Sequence, residues 1–418
     1  MKDKRVKNNT FLKAFLCKID LSGLFISIVG ASAAVYFLLS AIIGNGSFAD
    51  IFFLRGGDFF MDFFNSIRDA SQLSGVYTER KVIYPPMANL IFLLLSRFTP
   101  ADYNATDFGS RYDWIKYFSP LMLLTICALL CGVVLFFAVY RSITCGTEPV
   151  RALFAFLTLF SAPMLYLIER GNILILCLLS LLIYAATYNS KSALAREVGI
   201  IALAFAFSIK LYPAIFGWCL VADGRTRDAV RCAIYGGLML LIPSFFFGGP
   251  ICFWWMIQNI FSFSTEGTGS TITIICSRLG LSQEISLAAN FVSYAWFGIC
   301  ALCFAVTPFI FKEKSRFYFA GASAILCIPS LTSLYAWTFM LIPIILSCNK
   351  PCREKSDLIQ SILAIIPFAH IPFRLSYHVT LATVVLYICT AALSVCTVVI
   401  TLSQLKKRLR TYLRKRYS

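Results

Sequence analysis

The chain is dominated by apolar runs that no soluble core can absorb. They recur from Leu21 to Gln404, and those near Leu21 to Ile43, Tyr117 to Tyr140 and Thr380 to Leu402 reach the ~20 residues that a helix needs to cross a hydrocarbon core. Lipid offers no partner to an open peptide group, so the expected fold is an all-α polytopic bundle. The balance of 59% hydrophobic to 14% charged residues agrees, lying far from that of a soluble domain. Other runs are shorter and interrupted by Pro, Gly or single charges. A membrane tolerates such breaks where backbone is buried in protein or lines a cavity, which points to a catalytic or transporting interior.

Residues 1–20 are basic and polar, and the run that follows is too long for a signal-peptide core and lacks a small-residue cleavage pattern, so it reads as an uncleaved first helix. The net charge of +17 sits largely in that tail and in the KKRLRTYLRKR run near the other end. Tails of this kind satisfy the positive-inside rule and touch anionic lipid heads, so membrane lipids rather than nucleic acid are the expected partners. The 16 cysteines lie mostly inside apolar runs, and Cys300-x-x-Cys303 has no second pair to complete a metal site. No metal or cofactor is expected, and no P-loop, GxGxxG or HExxH motif occurs.

Placing the Lys/Arg-bearing turns on the cytoplasmic side assigns there residues 1–20, 141–151, 191–196, 225–231, 312–316, 350–355 and the final tail. Both termini are then cytoplasmic, in a plasma (inner) membrane. About twelve spans follow, near 22–44, 116–140, 151–168, 172–189, 197–209, 211–222, 229–247, 291–311, 317–330, 333–348, 357–371 and 379–403. They form one transmembrane domain, 22–403, between basic tails 1–21 and 404–418. Residues 87–98 do not fit the parity and read either as a re-entrant helix or as a span.

The opposite, extracytoplasmic side collects the unusual polar residues. The outer loop 45–85 carries RGGDFFMDFFNSIRDA and then VIYPPMANL; ERGN follows at 169–172, IKLYP at 209–213, a long loop at 248–290, and finally His370, Arg374 and His378. Ionisable groups near a bilayer cost roughly 2.5–3.5 kcal/mol each at the helix centre, so a set facing one compartment suggests a site.

Asp58 follows Gly56-Gly57, where absent side chains let a substrate approach, and a carboxylate there can take the proton of an attacking hydroxyl. Asp62 lies four residues on. A helix from Asp58 to Asp69 would put both carboxylates on one face, or the same segment lies at the interface with its phenylalanines in lipid and its acids in water. Lys210 in its apolar surroundings either snorkels to the interface or meets a lipid phosphate, with Pro213 breaking the helix beside it. Arg170 and Arg374 carry guanidinium forks suited to the same phosphate, while Glu169 offers Arg170 a simple salt bridge. Tyr84, Asn172 and Tyr212 flank these groups, and Tyr84-Pro85-Pro86 sets a rigid entry to the next helix. The segment 261–278, rich in Gly, Ser and Thr, is either a lid or an ordinary loop. His370 and His378, the only histidines, are structural residues or substrate ligands.

The order GGDFFMDFFNSI, YPP, ERGN, IKLYP and DGRTRD resembles the DUF2029 or glycosyltransferase family 87 group of GT-C enzymes, which are similar in layout to polyprenol-phosphate-mannose-dependent mannosyltransferases. The resemblance covers roughly residues 20–250, and the remainder in hydropathy. It implies a GT-C-like bundle that transfers a sugar, with inversion, from a polyprenyl phosphate to a lipid-linked or envelope glycan acceptor. It also implies Asp58 as the base and Lys210 near the lipid phosphate. The chain departs from the family pattern at Gly171-Asn172, where Gly-Gln is common, and at YAWTFML, which lacks the expected His; His370 or His378 would then substitute. A polysaccharide polymerase, in which Arg374 would outweigh Asp58, and a lipid or solute transporter are the rival readings.

Overall fold

A computed structural model describes residues 20–43, 60–99, 118–265, 276, 280–328, 334–350, 354–371, 374–376 and 379–417. Helices dominate. Five of them are long and apolar enough to cross a membrane: Leu21–Ile42, Met122–Ser142, Thr226–Phe247, Gln283–Ile310 and Leu381–Arg414. A sixth crossing arises if Glu148–Leu159 and Ala162–Arg170, bent by 45° at their junction, count as one span. Helix length therefore supports five or six crossings among the described residues and leaves the expected figure of about twelve unsupported. The other assigned segments form short helices such as Leu174–Thr187, of 14 residues, which rises only about 21 Å against a core of about 30 Å. The segment that did not fit the parity is the 11-residue helix Pro86–Ser96, shorter still.

Two compact units divide the chain: residues 1–52, 139–164 and 292–418 form one, residues 53–138 and 165–291 the other. In the first, Phe25 stacks on Phe154 at 4.2 Å, and the fully buried Trp337 donates its indole N–H to Ala364 O at 3.0 Å. Hydroxyls join its helices inside the bundle, with Trp296 donating to Ser394 Oγ and Gln360 to Thr397 Oγ1, the cross-links expected where lipid cannot satisfy them. The expected all-α class holds, and the one local exception described in this unit is the short antiparallel ladder of Arg374–Ser376 with Val379–Thr380.

The second unit is built on the antiparallel pair Leu174–Thr187 and Ala193–Ile209, fastened where Cys177 Sγ meets Ala206 O at 3.4 Å. Thr226–Ser244 packs on that pair through Gly236, where a Cβ would fall 1.6 Å from the Phe207 ring. Antiparallel packing fixes two ends. One carries Asn172 and Lys210, immediately outside the paired helices; the other carries Tyr188, Lys191 and the Arg225–Arg231 turn. At that second end Arg225 lies over the Tyr188 ring and pairs with Asp228, which also meets Arg231.

Candidate functional site

Local conformation, rather than helical spacing, positions the first carboxylate. Phe60 adopts φ 57°, ψ 13° and caps the helix Met61–Ala70, which places Asp62 in the first turn. Asp58 lies outside the described residues. The Phe60 N–H donates to Glu169 O at 2.6 Å, pinning the start of this helix to the ERGN turn. Phe63 and Phe64, expected in lipid in the interfacial reading, are 5% and 0% exposed. Phe63 meets Phe92 edge-on at 6.3 Å. The helix is thus sealed against protein, with Asp62 in its first turn, where the helix dipole favours a negative charge.

The ERGN turn supplies the partners. Gly171 has φ 62°, and a Cβ there would stand 2.7 Å from Phe63 Cβ, so the close approach of the turn to the Asp62 helix requires glycine. The turn swings Arg170 and Asn172 onto one carboxylate. Arg170 Nη2 reaches Asp62 Oδ1 at 2.5 Å, and Asn172 Nδ2 donates to Asp62 Oδ2 at 2.7 Å and to Tyr84 Oη at 3.3 Å. Asn172 Oδ1 accepts from the Leu174 N–H, which locks the amide in this orientation. Arg170 forms a salt bridge with Asp62, 108 positions away. Glu169 is 4% exposed and contributes its backbone carbonyl to Phe60.

Lys210 completes the group. The helix ends at Ile209, and Lys210 takes an extended conformation (φ −139°, ψ 131°) before the 3-10 turn Tyr212–Gly217. Pro213 sits in the first turn of that segment, as the break expected beside Lys210 requires. The ammonium Nζ lies 3.9 Å from the centroid of the Tyr84 ring, within cation–π range. Lys210 stands in the break between helices, outside the spans; burial lowers its ammonium to about 8, and the Asp62 carboxylate opposes that shift.

Asp62, Tyr84, Arg170, Asn172 and Lys210 thus meet at one end of the second unit. Tyr212 opens the 3-10 turn two residues beyond Lys210. His370 belongs to the other unit: it is 3% exposed, its N–H donates to Ser32 Oγ at 3.0 Å, and its ring lies 5.2 Å from that of Tyr36. Arg374 lies in the first short strand, and His378 falls outside the described residues, as does most of the 261–278 segment. The long outer loop is less irregular than expected, because it contains the helix Cys252–Thr265. Among the described residues no group of three or more His, Cys, Asp or Glu side chains is arranged to hold a metal.

Three residues at this end escaped the sequence reading: Tyr77, Asn89 and Asn259, whose polar atoms converge on the backbone around Tyr84. A lone Asn in the apolar helix Pro86–Ser96 was the one available signal.

The model of glycosyltransferase family 87 matches residues 83–338, more than half of the 418 residues. The match extends beyond residue 250, where only hydropathy had suggested likeness, and begins just before Tyr84, leaving Asp58 and Asp62 outside it. No curated protein and no solved structure matches the chain.

Proposed function

Because the chain belongs to glycosyltransferase family 87 and is therefore a membrane glycosyltransferase, we propose that it moves a hexose or pentose from a polyprenyl phosphate to a lipid-linked or glycan acceptor. The observation that carries this reading is the gathering of two cations at the Tyr84 end, Arg170 paired with Asp62 and Lys210 on the Tyr84 ring. A sugar diester of a polyprenyl phosphate carries one negative charge that such cations can meet.

The acceptor hydroxyl attacks the anomeric carbon from the face opposite the phosphate, so the configuration inverts. The hydroxyl proton passes to a carboxylate as the new C–O bond forms, and the bond to the phosphate oxygen breaks with both electrons leaving on polyprenyl phosphate. The oxygens of Asp62 are engaged by Arg170 and Asn172, which leaves Asp58 as the proposed base. Lys210 and Arg170 stabilise the charge growing on the departing phosphate, and preorganised charge is the largest contribution such a site makes. Glu169, Asn172 and Tyr212 remain candidate contacts to the sugar or the acceptor. The bilayer delivers the lipid donor laterally, so no soluble nucleotide-sugar domain is needed. The site end of the second unit lies opposite its Lys/Arg-rich end, which under the positive-inside rule favours an extracytoplasmic site.

The test is transfer of radiolabelled sugar from polyprenyl-phosphate-mannose and related donors by purified protein in liposomes, wild type beside Asp58→Asn. We expect wild-type transfer and its loss in Asp58→Asn with the protein still monodisperse. Equal transfer by both would remove Asp58 from the mechanism. No transfer from any donor would favour a polymerase, in which Arg374 dominates, or a transporter.

A further inference from the structure

Lys210 rests on the Tyr84 ring, and the position of that ring is itself held from beneath. Tyr84 is followed by Pro85 and Pro86, neither of which has an N–H, so the backbone here cannot be fixed by ordinary helix pairing. Side chains do it instead. Tyr77 Oη donates to Tyr84 O at 2.8 Å, while Asn89 Nδ2 donates to Tyr77 Oη at 2.8 Å and to Tyr84 O at 3.3 Å. Tyr77 and Asn89 are each 1% exposed. Asn259, from the helix Cys252–Thr265, donates to Tyr77 O at 2.9 Å and Val82 O at 3.1 Å, closing the turn between them. In that turn Lys81 has φ 51°, a conformation an L-residue adopts at a cost and one that the surrounding bonds must hold. Burial raises the Tyr77 phenol, keeping its proton available to Tyr84 O at any working pH.

Buried polar groups cost free energy unless paired, and a network of them rigidifies what it holds. Here the donors of one Tyr and one Asn are aimed at a single carbonyl, that of the residue whose ring carries the ammonium.

We propose that Tyr77, Asn89 and Asn259 are positioning residues that fix the Tyr84 ring beneath Lys210, so that the ammonium is set in place before the donor phosphate arrives. The proposal rests on the functional reading above for the identity of the anion. Because Asn259 lies on the helix Cys252–Thr265, that helix takes part in setting the site.

The experiment reads Lys210 directly, without requiring transfer. Protein in nanodiscs is acylated with acetic anhydride over a range of pH, and modification at Lys210 is quantified by peptide mass spectrometry in wild type, Tyr77→Phe, Asn259→Ala and Tyr84→Leu. Tyr84→Leu removes the ring and sets the scale. Tyr77→Phe removes one hydroxyl, and Asn259→Ala works from a half-buried position, which keeps the test alive should the buried change fail to fold. We expect both to raise Lys210 acylation by about threefold or more, in the direction of Tyr84→Leu, as loss of a cation–π contact predicts. Wild-type acylation in both, with a clear rise in Tyr84→Leu, would overturn the proposal; so would no rise in Tyr84→Leu. In the transfer assay the same two variants should raise the KM for polyprenyl-phosphate-mannose with little change in kcat. Absence of transfer in wild type would count against the reaction alone, since the acylation result stands without it.

Discussion

Lys210 is held by a surface with no counter-charge of its own. An aromatic face attracts an ammonium through its quadrupole and accepts no proton from it, so the cation stays free to meet a phosphate oxygen. The cost is a lowered proton affinity, with the ammonium brought by burial to about 8. Below that pH the side chain is charged and attracts an anion; as pH rises through it, the charge and the attraction are lost. A phosphodiester stays anionic throughout, so an alkaline limb near pH 8 in kcat/KM belongs to the free protein. Lys210→Arg should keep the charge and move that limb well above pH 9, while Lys210→Gln should cut kcat/KM by about a hundredfold at pH 7, the scale on which loss of one preorganised donor is felt. A pH–rate series on the three proteins checks this, and a wild-type limb unchanged in Lys210→Arg would assign it to another group.

At the scale of elements, the ERGN turn is the joint on which the site depends. Gly171 combines a left-handed backbone with contact against Phe63, so Gly171→Ala must both strain the turn and push the Met61–Ala70 helix away. We expect a loss of about 1–3 kcal/mol, read as a fall in the thermal midpoint in detergent, together with loss of transfer. An unchanged midpoint would mean that the helix yields freely. This joint also marks the limit of what the sequence discloses. The long spans were legible because twenty apolar residues have few alternatives, and the break at Lys210 was legible because Pro213 follows it. The start of the Met61–Ala70 helix was not, since a left-handed phenylalanine has no sequence signature and is imposed by the bond from Phe60 to Glu169 O. Pairing of Asp62 with Arg170 was equally hidden: each residue could be singled out by its charge, but only the fold brings together positions so far apart. The short strands at Arg374 and Val379 also lay below the resolution of hydropathy.

For the molecule as a whole, the two ends of the second unit make a topological prediction. The Asp62 end should face the extracytoplasmic space and the Arg225 end the cytoplasm. A cysteine introduced at the exposed Thr78 should react with a membrane-impermeant maleimide in intact cells, and one at Lys191 only after permeabilisation, each read as labelling gained over the parent protein. The reverse pattern would invert the orientation and place any lipid-linked donor in the opposite leaflet.

The last helix, Leu381–Tyr417, runs unbroken for 37 residues, about 55 Å, where a bilayer core takes up about 30 Å. Some 25 Å of rod therefore stands clear of the hydrocarbon, continuous with the part inside it. A soluble helical partner grafted in phase past Tyr417 would inherit the direction of that rod. Such a fusion would thereby carry a rigid fiducial for electron cryomicroscopy.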